Sequence, residues 1–219
     1  NLLYDEATIK SKIITTIVIP NSFHQLRMKS ISLLLLSFVL VLASAKLGVD
    51  LSMYGLRPSS FFTCLASNNV TLNILEILSG TNVINQNFLQ MYSSSKEAKI
   101  SDFDAIATLT GFLTPEDVCN KVSHALPGDF NGTLWLRVDD TYPYHWVIDV
   151  EERIPYLEQV VKSCSSHGLK LGVYSSNDLW TLIMGSREAG SDILSAVPVW
   201  YTNENNYPDF NDFEDARFG

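Results

Sequence analysis

The chain has 219 residues, 46% of them apolar, and a formal net charge of −9. That length fits one domain with ample material for a core. The acidic balance argues against a nucleic-acid or anionic-membrane binder, which it would repel, and leaves a neutral saccharide open as a partner.

Met28 is the first methionine. Lys29, an apolar run from Ile31 to Leu42, and Ala43-Ser44-Ala45 follow it. A basic start, a short apolar stretch and an A-x-A end make a signal peptide, and the run is too short for a stable membrane span. A secreted, extracellular protein is expected. Residues 1–27 are read as a non-native upstream extension and set aside, 28–45 as the signal, and 46–219 as the domain. Those 174 residues hold 11 Lys/Arg against 22 Asp/Glu.

Strand and helix signals then alternate. Leu47–Leu51 predicts a strand, and Ser59–Asn68 a short helix with Phe61, Cys64 and Leu65 on one face. Thr71–Leu78 is a second strand. Asn85–Lys99 is helical, with Phe88, Met91 and Tyr92 at i, i+3, i+4. Phe103–Leu109 is a third strand. Thr114-Pro115-Glu116-Asp117 starts a helix: N-cap threonine, proline in the first position, acids near the positive end of the dipole. That helix runs to about Ala125. Thr133–Val138 is a fourth strand, followed by a helix ending near Gly168. Leu169–Tyr174 is the fifth strand, a helix capped at Ser176-Asn177 runs to about Met184, and Val197–Tyr201 is the sixth strand. Repeated strand–helix units imply parallel strands with crossovers. The expected fold is α/β, a TIM-like barrel, with an open doubly wound sheet as the alternative.

Cys64, Cys119 and Cys164 allow one disulfide in three pairings, and the sequence does not choose among them. No C-x-x-C or H-x-x-x-H spacing points to a metal. Asn69-Val-Thr71 and Asn131-Gly-Thr133 are glycan acceptor signals. Neither a phosphate loop nor a G-x-S-x-G elbow occurs, and no cofactor is implied.

Four segments share a pattern. They are Gly48-Val49-Asp50-Leu51-Ser52, Trp135-Leu136-Arg137-Val138-Asp139, Gly172-Val173-Tyr174-Ser175-Ser176 with Trp180, and Val199-Trp200-Tyr201 with Pro208-Asp209-Phe210. In order and spacing they resemble the lysozymes of glycoside hydrolase family 25, in the form found in invertebrates. The resemblance implies a barrel with Asp50 pointing into the site, and peptidoglycan or another glycan as partner. It also implies a further strand and acid beyond Gly219, so a C-terminally truncated barrel is expected. Oligomeric state is left open.

The acid pair departs from the family pattern. Glycoside hydrolysis uses two carboxyl groups flanking the scissile bond, and the family's Asp-x-Glu sets both on one face of a strand. Here those positions are Arg137 and Asp139. Arginine stays charged and donates no proton near neutrality, and aspartate is one methylene shorter than glutamate. The candidate catalytic residues are therefore Asp50 and Asp139, with Asp140 in reserve. Asp149-Val150-Glu151 is a literal D-x-E and the rival. Only about eight residues separate it from the fourth strand, too few for a parallel crossover, and acids at a helix start are common for dipole reasons alone. Tyr142, Tyr144, Trp146, Tyr174 and Trp200 are candidate saccharide contacts. Glu76 and Asp104 are candidates to face the barrel interior.

Overall fold

A computed structural model describes residues 13–16, 46–51, 55–139, 146–186, 189–190, 195 and 197–201. The strands are β1 Ile13–Thr16, β2 Lys46–Asp50, β3 Leu72–Leu78, β4 Asp102–Thr108, β5 Thr133–Arg137, β6 Lys170–Ser175 and β7 Val199–Tyr201. The helices are α1 Ser59–Ser67, α2 Phe88–Glu97, α3 Pro115–Ala125, α4 Val150–Ser166 and α5 Asn177–Met184.

Strands β2 to β7 are parallel and lie side by side in chain order. A doubly wound sheet would reverse its order at a switch point. Unbroken order is the winding of a TIM-type barrel, and here six strands with their helices make a curled half-barrel. Strand β1, absent from the sequence reading because 1–27 was set aside, pairs antiparallel with β2.

Alternation along each strand builds two apolar layers. One row of residues, including Leu75, Ile77, Ala105, Ala107, Leu134, Leu136, Leu171 and Val173, packs outward under the helices. The other row, Leu72, Ile74, Ile106, Trp135, Tyr174 and Trp200, fills the concave side. Strands buried on both faces are what a parallel sheet demands, and each fully buried large side chain stabilises by roughly 1.5–3 kcal/mol. Gly172 makes room for the inner row: a Cβ there would stand 2.3 Å from the Trp135 ring.

Capping follows the sequence. Thr114 Oγ1 accepts the Asp117 N–H at 3.1 Å, with Pro115 in the first helical position. Ser176 Oγ accepts the Leu179 N–H at 3.2 Å. On α1, Phe61 and Leu65 of the expected face pack partly buried against the core, joined by the fully buried Phe62, while Cys64 is exposed. Helix α2 begins at Phe88, after an Asx turn in which Asn85 Oδ1 accepts the Asn87 N–H at 3.0 Å. Pro155 lies inside α4 with its ring exposed. It removes a single bond, to the Glu151 carbonyl on the solvent side.

Cys119 and Cys164 form a disulfide that ties α3 to α4 across a separation of 45 residues. Among the described residues, no helix is long and apolar enough to cross a membrane.

Candidate active site

Reading up the concave side, polar residues replace the apolar row at the C-terminal ends of the strands. Period-two alternation sets Glu76 above Leu72 and Ile74 on β3, Thr108 above Ile106 on β4, and Arg137 above Trp135 on β5. Asp50 ends β2, and Asp139 lies two residues beyond Arg137. In barrels of this type, that rim carries the chemistry.

Arg137 is the centre of the group. Its side chain is only 4% exposed, and a charge so buried needs partners. Nη2 donates to Asp50 Oδ2 at 3.5 Å, and Nε lies 3.2 Å from Asp139 Oδ2. The second contact is an ion pair whose N–H is not aligned as a hydrogen bond. The guanidinium carbon sits 4.8 Å from the Tyr174 ring centroid, and that ring is braced edge-on by Trp200 at 4.7 Å. Ser175 Oγ donates to the Val138 carbonyl at 2.7 Å, holding the backbone just before Asp139.

Glu76 is the third carboxyl of the group. Thr108 Oγ1 donates to its Oε1 at 3.4 Å. Burial pushes the Glu76 carboxyl up to about 7, and the negative charges of Asp50 and Asp139 add to the rise. Arg137 and the Thr108 hydrogen bond oppose it without cancelling it.

The structure thus brings Asp50 and Asp139 to one guanidinium. Asp140, Tyr142 and Tyr144 lie outside the described residues. Asp149 occupies the N-cap position of α4 and Glu151 its first turn, both exposed and neither on a strand. Tyr174 and Trp200 are buried beneath the acids, 7% and 6% exposed; they form the floor of the site. Trp146 is half-buried, edge-on to Tyr156 at 6.4 Å and beneath Arg153, which makes it packing under the α4 start. Asp104 belongs to the other end of the sheet. It accepts the Thr133 N–H at 2.7 Å and the Trp135 indole N–H at 2.9 Å, which fixes the inner tryptophan. Thr108 was not singled out from sequence, although the alternation Asp104, Ile106, Thr108 contained the signal.

Chemically, the rim offers two carboxylates ion-paired to a buried arginine and one carboxyl poised to carry a proton near neutrality. Such a set can polarise and protonate an oxygen while stabilising positive charge beside it.

The family model described as "Lys-1: Lysozyme-like protein 1" matches residues 42–219. A Dictyostelium discoideum protein named "Probable GH family 25 lysozyme 3" is 32% identical over 83% of this chain, which covers 37% of that protein. "Counting factor 50" from the same organism is 27% identical over 88% of this chain, which covers 65% of it. The chain thus spans less than two thirds of either relative. A muramidase structure from Acremonium alcalophilum superposes with a TM-score of 0.59 at 13% identity, over 73% of this chain and 78% of that one; this likeness concerns the fold. By the extent of the family match, the chain belongs to the lysozyme-like protein 1 family, among whose relatives are lysozymes of glycoside hydrolase family 25.

Proposed function

We propose that the protein is a secreted glycoside hydrolase that cleaves the β-1,4 links of peptidoglycan in antibacterial defence. The observation that carries the reading is the meeting of Asp50, Glu76 and Asp139 around Arg137 at the strand ends. A cation develops at the anomeric carbon as a glycosidic bond breaks. Asp50, Arg137 and Asp139 together bring one excess negative charge to the spot where that cation would form. The leader Met28–Ala45 supports secretion, and the acidic surface is compatible with an uncharged sugar backbone.

The test is turbidity clearing of bacterial cell walls by the secreted, full-length protein. Clearing that Asp139→Asn abolishes supports hydrolysis through this site. Clearing that survives Asp139→Asn but is lost in Glu151→Gln moves the chemistry to the α4 start.

One observation favours a second reading, a non-catalytic glycan-binding or interaction protein. Arg137 stands where the family pattern sets an acid, and not every relative carries a hydrolase's name. Retention on peptidoglycan without clearing supports this alternative.

A further inference from the structure

We propose that Glu76 is the proton donor of this site, taking the role that the family resemblance would give to a glutamate at the position of Asp139. The inference rests on the hydrolase reading above and names its acid. A glycosidase needs one carboxyl group that keeps its proton and another that stays charged. Arg137 contacts Asp50 and Asp139 directly, and pairing to a guanidinium suits the charged role. Glu76 is instead held by the Thr108 hydroxyl, which donates to its Oε1.

The groups facing Glu76 are Asp50 of β2, Thr108 of β4, Arg137 of β5, and Asp139 just beyond the end of β5. Three carboxyl groups share one arginine, so the set carries more negative charge than Arg137 can balance. The most economical relief is a proton held on one of them, and the half-buried Glu76 is the one whose surroundings favour it. Its position also fits. It projects from the concave face at the rim, on the strand between those of Asp50 and Thr108. The pairing with β4 shifts register immediately after it, between Glu76 and Leu78, and such irregularities are frequent beside active sites.

In the step itself, the Glu76 O–H gives its proton to the glycosidic oxygen as the bond from that oxygen to the anomeric carbon breaks. The leaving sugar departs with the new hydroxyl, and Glu76 becomes a carboxylate. Water then supplies the hydroxyl at the anomeric carbon, and its remaining proton restores the Glu76 carboxyl. No oxidant or metal enters the balance.

The experiment compares wild type, Glu76→Gln and Glu76→Asp on two substrates. One is the bacterial wall; the other is a nitrophenyl β-glycoside of a muramic-acid oligosaccharide that the wild type turns over. Nitrophenolate leaves without protonation, so loss of the donor should spare it. Glu76→Gln is expected to slow wall cleavage by ~100-fold or more, the usual span for a general acid, while nitrophenyl glycoside cleavage falls by less than ~10-fold. Wild-type wall cleavage should decline as pH rises through about 7, and Glu76→Gln should lose that decline. Glu76→Asp should keep the decline at a lower rate, which separates proton donation from a structural role. Equal losses on both substrates, or wall cleavage unchanged in Glu76→Gln, overturn the assignment. A wild type that cleaves neither substrate overturns the hydrolase reading and this one together.

Discussion

Asp50 and Arg137, 87 positions apart in the chain, meet at 3.5 Å across the rim of the half-barrel. With Asp139 on the other side of the same guanidinium, they form a buried three-membered ion cluster. Removing the central cation leaves carboxylates without their partner in a low-dielectric setting. Breaking a buried pair in this way costs about 3–5 kcal/mol. Arg137→Met is expected to lose that much in urea denaturation. A loss below ~1 kcal/mol would mean the acids find other compensation.

Glu76 makes folding stability depend on pH with a definite sign. Its folded-state value is about 7, against an ordinary 4.5, so between these limits the native state holds more protons than the unfolded chain. Stability contributed by the group is complete below about 4.5 and is lost as pH rises through 7. Thermal midpoints measured from pH 4.5 to 7.5 should show this decline superposed on the background, and Glu76→Gln should flatten it. A wild-type profile identical to that of Glu76→Gln would contradict the burial of this carboxyl.

The Cys119–Cys164 disulfide closes 45 residues of chain between two helices on the outside of the sheet. In chain-entropy terms, a loop of that size is worth about 4 kcal/mol. Cys119→Ser should lower the denaturation midpoint accordingly. Cys64→Ser, at an exposed thiol, should change it by no more than ~0.5 kcal/mol.

Gly172→Ala tests the inner layer. The added methyl would fall 2.3 Å from a Trp135 ring whose indole N–H is held by Asp104, so the ring cannot yield without losing that bond. Overpacking of this kind costs about 1–3 kcal/mol. Near-UV circular dichroism should report a disturbed tryptophan environment, and native-like spectra with an unchanged midpoint would contradict the tight fit.

Asn69 is exposed in the turn that leads into β3, at the end of the strands away from the acids. If the leader directs export, glycosidase treatment of the secreted protein should remove mass from this position. Asn69→Gln should reduce the shift by one glycan and leave wall clearing unchanged. Absence of any shift in both Asn69 and Asn131 would count against the export route.

Sequence periodicity carried most of the fold. The six parallel strands and five helices emerge at their predicted places, with ends displaced by at most three residues, because period-two and period-3.6 patterns are local. The site was only partly readable, since its decisive features are relations between distant residues. Glu76 lies in plain alternation with Leu72 and Ile74, yet its raised proton affinity depends on burial and on Asp50 and Asp139 from other strands. Tyr174 and Trp200 are candidate saccharide contacts from sequence because an aromatic side chain reads alike as a sugar platform or as core; here Tyr174 lies against Arg137 and Trp200 braces Tyr174. The disulfide depended on α3 lying beside α4, which cysteine spacing does not encode.

The side-by-side order of β2 to β7 has one further effect. Asp50, Glu76 and the Arg137–Asp139 pair are mounted on three separate strips of backbone, each anchored by neighbours that do not share its task. An exchange at a single tip, such as a cation where the family pattern implies an acid, leaves the other mountings undisturbed. A workplace assembled from separately held tools can lose one and transfer its duty to the next, and this chain has the layout for such a handover.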